Sequence, residues 1–118
     1  MLSISNQTKI YLCVAPTDMR KGFDTLAEIV RESLRLDPLT GQLFVFRSRR
    51  GDRLKLLYWD EDGWVLWYKR LEVGSFRFPV AENQTGVTIS AADFRLLLDR
   101  VDLASVRRGK RYQLSEIK

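Results

Sequence analysis

Between Leu43 and Leu71 the chain reads LFVFRSRRGDRLKLLYWDEDGWVLWYKRL, three runs rich in Val, Leu, Phe, Tyr and Trp. The runs are separated by two glycine-containing breaks, Arg50-Gly51-Asp52 and Asp60-Glu61-Asp62-Gly63. Such runs read as strands and such breaks as hairpin turns, so the stretch is expected to form a three-stranded antiparallel meander. Five cations, Arg47, Arg49, Arg50, Arg53 and Lys55, crowd its first turn, and Lys69 and Arg70 close its last strand. All 3 tryptophans, Trp59, Trp64 and Trp67, fall here too. A sheet of this kind is a core that carries charge, a surface for a polyanion, or both.

The other elements are read as packing around the meander. Lys9 to Val14 is a β-branched and aromatic run that Pro16 breaks, after which Thr17 or Asp18 can cap a helix start. Phe23, Leu26, Ala27, Val30 and Leu34 recur with helical spacing, and Asp37-Pro38 ends that helix. In the strand from Arg53 to Trp59, the face bearing Leu54, Leu56 and Tyr58 is apolar and is assigned to the core against this helix. The opposite face begins with Arg53 and Lys55, and that charged end is expected to be exposed. Phe76-Arg77-Phe78, ended by Pro79, and Val87-Thr88-Ile89 read as two further short strands. Ser90, with Asp93 three residues on, resembles a capping box opening a second helix striped by Phe94, Leu97, Leu98 and Val101. The expected fold is α+β: a small antiparallel β-sheet with a central meander, packed against one long helix and a shorter C-terminal helix. At 118 residues the chain reads as a single domain, residues 1–118, with a basic tail from 106 to 118.

Composition excludes more than it selects. Hydrophobic content of 45% and charged content of 30% fit a globular protein, and no apolar run approaches the length that spans a bilayer. Met1 to Lys9 lacks the pattern of a secretion signal, so a cytoplasmic protein without membrane association is expected. Histidine is absent and Cys13 is the lone cysteine, which removes Cys/His zinc sites and His-based triads. No catalytic residue, metal ligand or cofactor is therefore expected. Asp60, Glu61 and Asp62 could in principle bind Mg²⁺, but consecutive turn residues point apart, and Asp-Gly turn chemistry accounts for them.

A net charge of +5 and a pI near 9.7 favour a polyanionic partner if the excess is localised. Three clusters qualify: Arg20-Lys21, the turn from Arg47 to Lys55, and Arg107 to Arg111. Arginine forks suit phosphates, and an exposed turn brings several forks to one backbone. The tryptophans could stack bases, yet in a small domain they are needed in the core.

The residues Thr17-Asp18-Met19-Arg20-Lys21-Gly22-Phe23-Asp24-Thr25-Leu26 resemble the TDMRKGFDGL signature of the TnpB accessory proteins of insertion-sequence family sixty-six. The resemblance continues through Asp37-Pro38, Leu43-Phe44-Val45-Phe46, Arg49 to Arg53, Trp59-Asp60 and Tyr68 to Glu72, and spans about Ile10 to Val101. Thr25 stands where the family often has glycine. The resemblance implies a non-enzymatic accessory protein of a bacterial mobile element, assisting DNA transposition beside a separate transposase. It supplies no catalytic residues. The expected partners are DNA and the transposase of the same element, and the rival reading is a pure protein–protein adaptor with no DNA contact. Arg20, Lys21, Arg47, Arg49, Arg50, Arg53, Lys55, Lys69 and Arg70 are the candidates for phosphate contact. If they form one surface, the Thr17–Leu26 signature must lie beside the Arg49–Arg53 turn.

Overall fold

The computed structural model describes residues 4–79 and 83–99. In chain order these form β1 (Ile10–Cys13), α1 (Phe23–Glu32), a 3₁₀ turn (Pro38–Thr40), β2 (Leu43–Arg47), β3 (Arg53–Asp60), β4 (Gly63–Arg70), β5 (Gly86–Ile89) and α2 (Ala91–Leu98). The tail from 106 to 118, with Arg107 to Arg111 and Val101, lies outside the described residues. The strands build one sheet in the order β4-β3-β2-β1-β5. The expected meander is β2-β3-β4, with Val45 opposite Leu56 and Leu56 opposite Trp67.

The α+β fold is as expected, and the sheet is mostly antiparallel, but one pair departs from that pattern. β1 runs parallel to β2, with Ile10 opposite Leu43 and Leu12 opposite Val45. A parallel pair cannot be closed by a tight turn and needs a crossover. Here α1 is the crossover, so the first helix links two strands of one sheet. β5 then flanks β1 antiparallel, Ile10 opposite Ile89.

Both faces of the sheet are covered, which explains why Leu43 to Phe46 are buried without alternation. On one face Leu26, Ala27 and Val30 of α1 pack on Phe44, Phe46, Leu57 and Cys13. On the other, Phe94 and Leu97 of α2 and the side chain of Phe76 pack on Leu12, Val45, Leu54 and Leu56. The face carrying Leu54, Leu56 and Tyr58 thus meets α2 rather than α1. Strands apolar on both sides do not reveal which helix lies on which side, and alternation alone misassigned them.

Three local expectations also change. Phe76 to Phe78 is not a strand: Phe76 N–H donates to Gly51 O at 2.8 Å, so the segment crosses the sheet face with Phe76 buried beneath it. α1 is capped by Gly22 with no side-chain bond, because Asp18 is turned toward Arg20 instead. In the β3–β4 turn the positive φ belongs to Glu61, at 56°, while Gly63 already opens β4. Ser90 does cap α2, its Oγ accepting from Asp93 N–H at 3.1 Å. The tryptophans are neither core nor free platforms; all are half-buried, with Trp59 and Trp64 edge to face at 5.0 Å. No helix of the described residues is long and apolar enough to cross a membrane.

Candidate nucleic-acid interface

The loop from Thr17 to Gly22 leaves the end of β1 and crosses the α1-side face of the sheet beside the β2–β3 turn. Its placement is fixed by backbone and side-chain bonds. Thr17 N–H donates to Arg47 O at 2.9 Å, hooking the loop to the end of β2. From the sheet, the Lys55 ammonium donates to the carbonyl oxygens of Met19 at 2.7 Å and Lys21 at 2.8 Å, and lies 4.7 Å from the centre of the Tyr68 ring.

The facing wall is the β2–β3 turn. Ser48 N–H donates to Arg53 O at 3.0 Å, Arg53 N–H donates to Ser48 Oγ at 3.0 Å, and that hydroxyl donates to Asp52 Oδ1 at 3.2 Å. Gly51 sits at φ +83°, where a side chain is strained, and an added Cβ would stand 3.2 Å from Ser75 Cβ. Between the two walls is an open cleft of about 540 Å³, lined by Asp18 and Arg20 from the loop, Arg49, Arg50 and Arg53 from the turn, and Tyr68 from β4. The signature and the turn are therefore neighbours, as a single surface requires.

Four arginines, Arg20, Arg49, Arg50 and Arg53, converge here from segments some thirty residues apart, and Arg70 flanks them. Arg49 and Arg50 are exposed at the tip. Arg53 Nη1 donates to Tyr68 Oη at 3.4 Å. Arg70 stands directly opposite Arg53 on the same face, held by Glu72 Oε2 at 3.0 Å. Like charges directly opposite on adjacent strands repel, and an anion between them relieves that repulsion. Two carboxylates, Asp18 and Asp52, temper the field. Asp18 takes the Arg20 guanidinium at 2.7 Å, and that fork holds the Asp18 carboxyl well below the usual carboxylate range. Arg20 is nonetheless reachable, its side chain 91% exposed.

The remaining sequence candidates are not in the cleft. Lys55 was expected at the exposed end of β3; it is 6% exposed, because the Thr17–Gly22 loop lies over it and its ammonium serves that loop's carbonyls. It is a fastener of the cleft rather than a contact residue. Arg47 faces the α2 side, its register partner being Leu54. There Nη1 donates to Phe76 O at 3.1 Å, the guanidinium caps the Phe78 ring at 4.4 Å, and partial burial lowers its pKa. Lys69, opposite Leu54, projects from that same far face. Lys21, in the same loop, instead lines a second cavity of about 330 Å³ that also touches Cys13 and Ser33. The sequence reading missed Asp18, Asp52 and Tyr68 as members of the site. The hairpin register that sets Tyr68 opposite Lys55 was a signal that could have found Tyr68.

The family model described as IS66 Orf2 like protein matches residues 8–108. Two proteins of Sinorhizobium fredii (strain NBRC 101917 / NGR234) are similar along nearly their whole length. Uncharacterized protein y4hO is 42% identical over 102 residues, covering 86% of this chain and 88% of that protein. Uncharacterized protein y4jC is 37% identical over 108 residues, 92% of each. No solved structure matches at a significant level.

Proposed function

This chain belongs to the family of IS66 Orf2-like proteins, accessory proteins of an insertion sequence, and from that premise we propose that it assists transposition without catalysis by holding a nucleic-acid backbone in the basic cleft. The observation that supports this is the convergence of Arg20, Arg49, Arg50 and Arg53 on one concavity. Guanidinium forks on two walls can grip successive phosphates from two sides, and Tyr68 offers a hydroxyl and a ring edge between them. The contact proposed is to backbone phosphates and shape, with sequence choice left to the partner.

A gel-shift titration with DNA from the element's ends, at two salt concentrations, tests this reading. Binding that weakens steeply with salt is expected, because each phosphate neutralised releases counterion. Absence of binding even at low salt rejects the DNA reading.

The mixed charge of the cleft favours a second reading. Asp18 and Asp52 among the arginines suit a protein surface of alternating sign, such as the element's transposase, with no DNA contact. Association with transposase that persists after nuclease treatment supports this adaptor role, and charge reversal at Arg49 and Arg50 then separates the two: it abolishes one binding activity and spares the other.

A further inference from the structure

We infer that two copies of this chain pair through the free edge of β4, antiparallel and centred on Leu66, so that their sheets join into one. Among the described residues β4 is the outermost strand on its side of the sheet, and it runs from Gly63 to Arg70. Natural edge strands are usually shortened, bulged or charged to prevent such pairing. This one carries no charge or proline from Gly63 to Tyr68, and Trp64, Val65, Leu66 and Trp67 are all half-exposed.

The ends of the strand say what covers it. Asp60, Glu61 and Asp62 precede it and Lys69 and Arg70 finish it, so it is complementary in charge to itself when reversed. A two-fold axis perpendicular to the sheet keeps each face on its own side, so facing residues must be of the same parity. Centred on Leu66, the pairing sets Asp62 beside Arg70 of the second copy, Trp64 against Tyr68, and Val65 against Trp67. Centred on Trp67 it would set Arg70 against Trp64 and leave the acids without cations. Centred on Val65 it would set Glu61 against Lys69 and Asp60 against Arg70, but only by drawing the β3–β4 turn itself into the ladder. Charge excludes Trp67 and the turn excludes Val65, which leaves Leu66. The existing Arg70–Glu72 pair does not prevent this, because both side chains are largely exposed and such pairs exchange partners at little cost.

The pairing and the cleft share Tyr68, but the two readings fail separately, since Asp62 and Leu66, which carry the test, do not line the cleft. Light scattering of the full chain should give twice 13.8 kDa. In a Cys13→Ser background, Leu66→Cys should form a disulfide-linked dimer under mild oxidation, because a residue on the two-fold faces itself within disulfide reach. Glu28→Cys on α1 should not. Asp62→Lys should weaken the dimer about tenfold, since symmetry turns two favourable pairs into two repulsive ones, and Asp62→Lys with Arg70→Glu should recover it. A monomeric mass overturns the inference. So does a dimer that Leu66→Cys cannot cross-link and Asp62→Lys leaves unchanged, which would place the contact on another surface.

Discussion

The Lys55 ammonium lies 2.7 Å from the carbonyl oxygen of Met19, joining the middle of a strand to a loop 36 positions earlier in the chain. With the second bond, to Lys21 O, and the Tyr68 ring over it, most of what the ammonium can do is done inside the protein. Lys55→Met would keep the length of the side chain and remove both charged bonds, leaving two carbonyls under-satisfied. A loss of roughly 3 kcal/mol is expected by urea unfolding, from the usual worth of hydrogen bonds to a charged donor. A loss below about 0.5 kcal/mol would show that the loop is held by other means.

Asp18 supplies a pH dependence with a definite sign. Its carboxyl is stabilised in the charged form by Arg20, so its pKa is lower folded than unfolded. The resulting stability is present above the unfolded value, about 3.9, and disappears only as pH falls through the lower folded value. An NMR titration should find Asp18 still ionised below the ordinary carboxylate value of about 3.9. Protonation of Asp18 at that ordinary value would contradict the pairing.

The same pair restrains binding. Asp18→Asn releases the Arg20 fork and removes one negative charge from the cleft, so DNA affinity should rise several-fold, with a steeper dependence on salt. Unchanged affinity would mean that the Arg20 wall does not meet the backbone.

Arg49 and Arg50 are set against Lys69 by the sheet. Arg49→Ala and Arg50→Ala should each weaken DNA binding and lower the salt slope by about one, whereas Lys69→Ala, on the far face, should change neither. Equal effects at all three positions would point to diffuse attraction by net charge instead of a cleft.

Gly51 is held in the left-handed region with Ser75 close by, and Gly51→Ala should cost about 1–3 kcal/mol, read as a fall in melting temperature. Because the Arg49–Arg53 turn hangs on this residue, the variant should also bind DNA more weakly under conditions where it remains folded.

How far the sequence could be read depended on whether a pattern was local. The β2-β3-β4 meander, α1 and the Ser90 cap were legible, since turn glycines, helical spacing and a hydroxyl before an apolar run act over a few residues. The parallel β1–β2 pair was not, because Lys9 to Val14 carries the same β-branched signature whichever way its neighbour runs. Lys55 and Arg47 were misread for a related reason. A cation in an alternating strand looks solvent-facing until a distant loop, here Met19 to Lys21 or Phe76 to Phe78, is laid over it. The adjacency of the signature and the turn was anticipated because the family signature brought Arg20 and Lys21 into a single-surface hypothesis with the Arg49–Arg53 turn.

The strand order has a consequence for how the chain is made. Among the described strands β1 is made before the others, yet its two neighbours in the sheet are β2 and β5, and β5 ends at Ile89. The meander closes through short turns and can form while synthesis continues, whereas β1 stays half-paired until nearly ninety residues have emerged. Until then Ile10 and Leu12, both fully buried at the end, lack the Phe94 and Leu97 side chains that finally cover them. The later elements β5 and α2 therefore lock the earlier strand, and a nascent chain that stops before α2 presents an apolar seam for chaperones and proteases.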